Sequence, residues 1–556
     1  MARPLWIIGL DGMEPELLTR WVSAGRLPNI ARCIERGASG KLLSTYNQLT
    51  ASAWVTIATG VNPGAHGVYN FQERVPGQYR LNLPTSANRG TPAFWETAGE
   101  AGCRALVVRV PMTYPLRAFN GVGVADWLAP SPRHPGFTHP PELAAELVTR
   151  FGWTHWGEYW GDAQLHRPDK CAMAFRRLLR NADTSFAVFD HLLKRERFDL
   201  FFGVASETDI ASHTLWHHHD ASHPSHDPSA PEHLRNGLLS VYERVDRRLG
   251  WLLDSNEFNG NLLLISDHGS GPHLYGPHCV APLLEAAGLT VRRQQTPPRV
   301  GLLSRARSAL TQRIPWHVRR RLKPLEAATR AQGFTASLLS HIDFGRSKAF
   351  AYVCIQTGEI WLNLRGRDPD GLVEPGREAD ELCEYIRRLF MEARDPRTGQ
   401  RPVAEVRRRE ELFAGPHMDV IPDIHVRFRD DIEVGGLTTR LADGTEITVA
   451  PPPEVFAASP GLHRSHGVFV ACGPDIRPTD IPVEGDLMDI APTALALLDV
   501  PVPAHVEGRL LREVLRDSVS LQPATACADV AAAVTPEYSD DDLARVEKRL
   551  RALGYM

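Results

Sequence analysis

Residues 5–13 read LWIIGLDGM, an apolar run that stops at Asp11. The stretches FDLFFGVAS (198–206) and NLLLIS (261–266) repeat this pattern. Short, continuously apolar runs that end in polar residues are typical of parallel strands buried on both faces. Helix-like segments alternate with them, as FWETAGEAG does before RALVVRV. The sequence therefore predicts an α/β fold in which helices cover both faces of a mostly parallel sheet.

The composition is that of an ordinary globular protein, with 43% hydrophobic and 23% charged residues in 556. A formal net charge of -4 gives no bias towards polyanions, so nucleic acid is not an expected partner. No apolar stretch approaches the length of a membrane span, and the first one passes directly into a charged residue, unlike a signal peptide. The eight cysteines contain no CxxC pair. We expect reduced thiols, no transmembrane segment and a cytoplasmic location.

The composition changes at two places along the chain. At 291–324, VRRQQTPPRVGLLSRARSALTQRIPWHVRRRLKP is rich in Arg, Gln and Pro. We interpret a basic insert at about 291–335 as a lid over the sheet, although a solvated pair of basic helices fits the same pattern. LQPATACADVAAAVTPEYSDDD resembles a linker and precedes the charged LARVEKRLRALGYM. The predicted organisation is a catalytic domain over 1–515, followed by a linker and a short helix over 516–556.

Four clusters of potential metal ligands lie where apolar runs stop. Their spacing is informative, because the Asp and His of DIASH are four residues apart and share one face of a helical turn. Three carboxylates and three imidazoles suffice for two zinc ions that each keep an open position, and manganese is an alternative. The candidate ligands are Asp11, Asp209, His213, Asp267, His268 and His463. His466, three residues after the last of these, is an alternative ligand.

A candidate nucleophile, Thr50, begins TASAWVTIATG at residues 50–60. A hydroxyl bound to a metal loses its proton more readily and becomes a nucleophile. Phosphate monoester hydrolysis requires accelerations of up to ~10²¹-fold, whereas a lone general base supplies about 10² to 10⁴. Trp54 follows in the same segment and, if it faces the pocket, offers an apolar wall to an aryl or lipid-like leaving group.

The TASAWVTIATG segment, followed by NPGAHG at 62–67, resembles the nucleophile region of type I phosphodiesterases and nucleotide pyrophosphatases. The order Asp, Thr, DxxxH, DH, His along the chain is that of their alkaline phosphatase superfamily. The resemblance implies an α/β/α sandwich around a large, mostly parallel sheet. It also implies one metal held by Asp11, Thr50, Asp267 and His268, and a second held by Asp209, His213 and His463.

The function expected from these residues and this resemblance is metal-dependent hydrolysis of a small-molecule phosphate ester. We expect a phosphodiesterase that uses two divalent metals and a phosphothreonine intermediate at Thr50. A phosphomonoesterase, a phosphonate hydrolase, a phosphomutase and a non-catalytic metal-binding protein are the alternatives. The phosphomutases of this superfamily use Ser as nucleophile, and the sulfatase CxPxR motif is absent from this segment. The sequence leaves the natural substrate and the oligomeric state open.

Overall fold

The computed structural model describes residues 3–152, 168–293, 341–351, 356–452, 459–520, 522–523 and 538–552. Apart from residues 291–293, the predicted basic insert up to residue 335 lies outside these ranges, as does most of the predicted linker. None of the described helices combines the length and apolar character needed to cross a bilayer.

A sheet of nine strands forms the centre of the described chain, and four smaller sheets accompany it. The strands are β1 Leu5–Leu10, β2 Gly37–Leu43, β3 Glu73–Arg74, β4 Leu81–Asn82, β5 Ala105–Val108, β6 Gly121–Val124, β7 Thr138–His139, β8 Leu200–Ala205, β9 Asn261–Ile265, β10 Gly269–Pro272, β11 Ala349–Ala351, β12 Gly358–Leu362, β13 Val403–Arg408, β14 Ile424–Phe428, β15 Leu437–Arg440, β16 Glu446–Val449, β17 Gly461–Arg464, β18 His466–Cys472 and β19 Val483–Asp486. The strand order of the large sheet is β19-β2-β18-β9-β1-β8-β5-β6-β7, and its three middle strands, β9, β1 and β8, run parallel to one another. The largest of the smaller sheets has the order β11-β12-β14-β13.

Helices cover the two faces of the large sheet. The helices of the described chain, including two of a smaller unit, are α1 Pro15–Ser23, α2 Pro28–Glu35, α3 Thr50–Thr59, α4 Pro63–His66, α5 Phe94–Glu100, α6 Leu143–Phe151, α7 Pro168–Leu193, α8 Glu207–His219, α9 Glu232–Arg235, α10 Gly237–Ser255, α11 Val280–Ala286, α12 Arg377–Met391, α13 Ile490–Leu497 and α14 Asp540–Ala552.

The two faces of β1 belong to two separate apolar cores. Trp6 and Ile8 pack into one core with α1, α2, α7, α8 and α10. Leu5 and Ile7 point to the opposite face and pack with α3, α5 and α13. This alternation follows from the two-residue period of a strand, and it explains why the run is apolar at every position. The predicted α/β/α sandwich around a large, mostly parallel sheet is confirmed.

A smaller antiparallel unit is inserted between β10 and β17. These two strands pair with each other, with Ser270 opposite His463, so the chain leaves and re-enters the main domain side by side. The inserted unit consists of the sheet β11-β12-β14-β13 with α11 and α12, and it has an apolar core of its own. The β10–β17 pairing therefore brings a late part of the sequence next to residues that follow β9.

The C-terminal helix α14 packs against the main domain. Val546 and Leu550 are buried in the same core as Trp6. Arg549 donates hydrogen bonds to the carbonyls of Trp127, at 2.7 Å, and Ala129, at 2.6 Å. The helix thus buries one face on the domain and anchors its charged side through backbone acceptors.

Candidate metal centre

Three candidate carboxylates follow three adjacent strands. Asp11 directly follows β1, Asp209 lies in the first turn of α8 after β8, and Asp267 comes two residues after β9. Because the carboxyl ends of parallel strands meet at one edge of the sheet, these side chains converge there. Gly12 makes the close approach possible, since it has a φ of 65° and an added Cβ would lie 2.8 Å from atoms of Asp209.

One group of ligands forms around Asp209. One helical turn along α8, Nε2 of His213 lies 3.3 Å from Asp209 Oδ1. His463, on β17, places its own Nε2 3.4 Å from the same oxygen. The two imidazole Nε2 atoms are 2.9 Å apart. The three side chains are therefore close enough to share one cation.

The second group contains the candidate nucleophile. Nε2 of His268 lies 3.2 Å from Oδ2 of Asp267 and 3.7 Å from Oδ1 of Asp11. Thr50, the first residue of α3, places its hydroxyl 3.2 Å from that same Nε2. The sequence-predicted residues are thus brought together in two groups that adjoin one another, since the His268 and His463 rings stack with centroids 3.5 Å apart.

The three imidazoles are oriented in the same way. Nδ1 of His213 lies 2.8 Å from the carbonyl oxygen of Gly461, and Nδ1 of His268 lies 3.0 Å from that of Gly269. Nδ1 of His463 lies 2.5 Å from the carbonyl oxygen of Gln48. A carbonyl accepts only from a protonated Nδ1, so Nε2 is the nitrogen that carries the lone pair. This is the arrangement that metal-ligating histidines use.

The electrostatics favour positive charge at the centre. Burial, and then repulsion from Asp267 and Asp209, raises the pKa of Asp11 well above its usual value. Burial and Asp209 likewise raise the pKa of Asp267 to about 8. Burial acts in the same direction on Asp209, but the adjacent His213 and His463 outweigh it and hold that pKa well below normal. Carboxylates packed this closely require cations between them to remain ionised.

The donor set fits two divalent cations. Within the described ranges, two sets of ligand atoms lie within 4.8 Å of one another, Asp209 with His268 and His463, and Asp11 with Asp267 and His268. Neither carboxylate oxygen of Asp11 has a hydrogen-bond partner among the described residues. A buried carboxylate without donors is unfavourable unless an ion satisfies it. Nitrogen and carboxylate oxygen in this number match zinc, and manganese accepts the same donors.

Several supporting residues were not recognised in the sequence. Gln356, from the inserted unit, accepts a hydrogen bond from the His463 backbone at 3.2 Å. Arg464 is half-buried and donates to the carbonyls of His463, at 2.8 Å, and Pro272, at 2.6 Å. These contacts fix β17 against β10. The only available signal was that Arg464 directly follows a candidate ligand, and Gln356 had none.

Trp54 and His66 are packed inside the protein, and the alternative ligand His466 lies on its surface. Trp54 is fully buried beneath Gly9 and lies in the core with Phe202, so the interpretation of it as a wall of the substrate pocket is wrong. Trp54 lies four residues after Thr50 in α3, and its ring contacts β1 of the large sheet at Gly9. His66 is buried and contacts Thr56 at 3.0 Å. The alternative ligand His466 is exposed on β18.

Comparisons with known proteins give a family match and several distant structural matches. The family described as "type I phosphodiesterase / nucleotide pyrophosphatase" matches residues 5–435, which include every candidate site residue except His463. No curated protein matches the chain by sequence.

Solved structures that resemble the chain include phosphonoacetate hydrolase from Sinorhizobium meliloti 1021 in complex with phosphonoformate. It is 17% identical with a TM-score of 0.49, and the match covers 90% of this chain and 96% of that one. Murine ectonucleotide pyrophosphatase/phosphodiesterase 5 is 13% identical, with a TM-score of 0.46 and coverage of 92% and 100%. The human protein of the same name is 13% identical, with a TM-score of 0.47 and coverage of 93% and 100%.

Proposed function

Because this chain belongs to the type I phosphodiesterase and nucleotide pyrophosphatase family, we propose that it is a two-metal phosphodiesterase that acts through a phosphoryl ester of Thr50. Membership makes the chain a metal-dependent hydrolase of phosphoric ester bonds. The observation that carries the finer proposal is the position of the Thr50 hydroxyl. It lies 3.2 Å from His268 Nε2, inside the same buried group as Asp11 and Asp267.

The candidate ligands divide between two cations, zinc or alternatively manganese. Bound there, the cations would lower the pKa of the nucleophilic hydroxyl and stabilise charge on the attacking and leaving oxygens. His213 and His463, with Nδ1 engaged by backbone carbonyls, keep Nε2 directed at Asp209. Asp11, Thr50, Asp267 and His268 would hold one cation, and Asp209, His213 and His463 the other.

The proposed reaction has two displacements at phosphorus. The Thr50 oxygen attacks phosphorus as its proton is released, and the bond from phosphorus to the leaving oxygen breaks. The leaving group departs as an alcohol once it has gained a proton, and Thr50 carries the remaining phosphoryl ester. Water then cleaves the bond between Thr50 and phosphorus, which restores the hydroxyl. Helix α3 positions the nucleophile, because Thr50 is its first residue and all ten residues of the helix are buried.

The alternatives are distinguished by chemistry at the same centre. A phosphomonoesterase or phosphonate hydrolase would use the same nucleophile and differ in the group beside phosphorus. A non-catalytic protein would need only the cations, yet a hydroxyl stands at the nucleophile position. We place the enzyme in the cytoplasm, which agrees with the six free cysteines among the described residues, namely Cys33, Cys103, Cys171, Cys279, Cys383 and Cys472.

A substrate comparison tests this proposal. The purified protein, loaded with zinc or manganese, would be assayed against bis-p-nitrophenyl phosphate, p-nitrophenyl phosphate and an aryl phosphonate ester. We expect the highest kcat/KM on the diester and loss of activity on metal removal. A higher kcat/KM on the monoester or phosphonate would replace the phosphodiesterase assignment with that activity. Metal-loaded protein that turns over none of the three, nor a dinucleotide, would contradict the catalytic proposal.

A further inference from the structure

A small cavity lies behind helix α3, apart from the metal centre. Val55 and Ala58 of α3 line it, together with Met112 and Arg117 from the segment that follows β5. None of the candidate catalytic or metal-binding residues lines it. Its volume is about 20 Å³. A water molecule requires about 10–15 Å³ by the same measure, so the cavity accommodates one small group.

Arg117 supplies unused hydrogen-bond donors to this cavity. The side chain is buried, with 8% of the residue exposed. Its Nη2 donates to the carbonyls of Ser86, at 2.6 Å, and Arg89, at 2.7 Å. Its Nε and Nη1 are buried and have no hydrogen-bond partner in the described part of the chain. Buried donors on a charged group are strongly unfavourable when nothing accepts from them.

Of the charged side chains that line the cavity, Arg89 and Glu96 form an ion pair, whereas Arg117 has no ion-pair partner among the described residues. Arg89 makes two hydrogen bonds to Glu96, one of them 3.1 Å from Nη1 to Oε2. The same Glu96 oxygen accepts the Ala93 backbone N–H at 2.9 Å. No carboxylate of the described residues lies within ion-pair distance of Arg117. Burial, and then repulsion from Arg89, lowers the pKa of Arg117 to about 10. The guanidinium therefore remains charged at neutral pH, and the nearby Glu96, which favours that charge, is itself paired with Arg89.

We propose that this cavity binds one monatomic anion, chloride in physiological solution, through Nε and Nη1 of Arg117. A volume of about 20 Å³ corresponds to one small group, so we take a single-atom anion as the occupant. Trp95 and Met112 contribute apolar wall, which favours a large, weakly hydrated halide over fluoride. The anion neutralises Arg117 and stabilises the packing of its loop against α3, the helix that carries Thr50 at its N-terminus. This inference is independent of the catalytic proposal.

Thermal unfolding of the metal-loaded protein tests the site in solution. Chloride, bromide, fluoride and gluconate would be compared at constant ionic strength with the same cation. Because an anion that binds only the folded state stabilises it by mass action, we expect Tm to rise and saturate with chloride or bromide. For a chain of this length the rise is about 2 °C at roughly a hundredfold excess over Kd. Equal Tm values in chloride and gluconate would overturn the proposal.

A pair of variants assigns the effect to the cavity. Arg117→Met removes the donors and should abolish the chloride-dependent shift. Arg104→Met, which removes an arginine paired with Glu196 at the surface, should leave that shift unchanged. A full chloride-dependent shift in Arg117→Met would contradict the assignment.

If Arg117→Met fails to fold, crystals of the unmodified protein grown in bromide test the same site. We expect an anomalous bromide peak in contact with Nε and Nη1 of Arg117. Density for a water molecule there, without anomalous signal, would show that solvent and not an anion satisfies the guanidinium. Bromide found only at the metal centre would contradict the proposal equally.

Discussion

The hydroxyl of Thr50 lies 3.2 Å from Nε2 of His268, although 217 residues separate the two in the chain. Each stands at an element boundary, since Thr50 begins α3 and His268 precedes β10. Because the His268 Nδ1 is engaged by the Gly269 carbonyl, the nitrogen that faces the hydroxyl carries a lone pair. A cation that binds this nitrogen would also be within reach of the hydroxyl, which is the condition for a metal-activated nucleophile.

Replacement of the nucleophile should separate catalysis from metal binding. Thr50→Ala is expected to lower kcat by about 10³-fold or more, because the covalent step is lost. Metal content should remain nearly unchanged, since Asp11, Asp267 and His268 still hold that cation. Steady-state kinetics and metal analysis on the same preparation measure both quantities.

A matched control is available on the same helix. The Thr59 hydroxyl donates to the Val55 carbonyl at 2.7 Å and lies outside the centre, so Thr59→Ala should retain wild-type kinetics. Near wild-type turnover by Thr50→Ala would mean that another group attacks phosphorus.

Removal of one carboxylate should have opposite effects on the metal-free and metal-loaded proteins. In the absence of cations, burial and repulsion from Asp267 and Asp209 raise the pKa of Asp11, so the folded protein must take up a proton there that the unfolded chain releases, and Asp11→Asn removes this cost. At neutral pH we expect the chelator-treated variant to be more stable than the chelator-treated wild type, by about 1–4 kcal/mol, because each pH unit above the unfolded pKa costs the wild type about 1.4 kcal/mol. With metal present the variant should be the less stable of the two, because it has lost a ligand.

Asp126→Asn provides the comparison for that experiment, since Asp126 is a buried carboxyl outside the centre. Its effect on Tm should be the same with and without metal. An Asp11→Asn variant that is destabilised equally in both conditions would argue against cation binding at Asp11.

Arg464 is expected to position His463. Its guanidinium ties the His463 carbonyl to that of Pro272, so Arg464→Met should loosen the ligand without removing it. We expect metal affinity to fall by about 10- to 100-fold, with activity recovered at high metal concentration. Metal titration of activity measures this, with the surface variant Arg429→Met as control. Activity that stays low at saturating metal would indicate a purely structural defect.

Glu73 should make stability depend on pH. Burial raises its pKa from 4.5 to about 8. Between these values the folded state retains a proton that the unfolded state releases, so this contribution to stability is complete below about pH 4.5 and is lost as pH rises towards 8. Glu73→Gln mimics the protonated form and keeps the oxygen that accepts the Tyr69 N–H at 2.6 Å.

The stability of Glu73→Gln relative to wild type should therefore increase by a few kcal/mol between pH 5 and pH 8. Denaturant unfolding at a series of pH values measures this difference, and pH effects on metal binding cancel in it. A difference that does not change with pH would show that Glu73 is ionised in the folded protein.

Most of the candidate metal ligands could be predicted from the sequence, because each carboxylate follows a strongly apolar strand. The run LWIIGL had to be buried on both faces, which placed Asp11 at the carboxyl edge of the sheet. The neighbours of β1 were not predictable, because β8 and β9 come from distant parts of the chain and their pairing is set by tertiary packing.

The residues that the sequence did not reveal act through the backbone or come from the inserted unit. Gln48 contributes only its carbonyl to His463, and a carbonyl has no sequence signature. Gln356 belongs to a different sheet. Trp54 was misinterpreted because α3 is buried on all sides, so no amphipathic pattern showed which of its faces meets the pocket.

The stereochemical course at phosphorus tests the central claim, the covalent role of Thr50, most directly. A phosphorothioate diester of known configuration at phosphorus would be hydrolysed in ¹⁸O-water by the metal-loaded enzyme, and the configuration of the product determined. Two successive in-line displacements, first by Thr50 and then by water, predict overall retention of configuration. Inversion would mean that water attacks phosphorus directly, and would contradict a Thr50 phosphoryl ester.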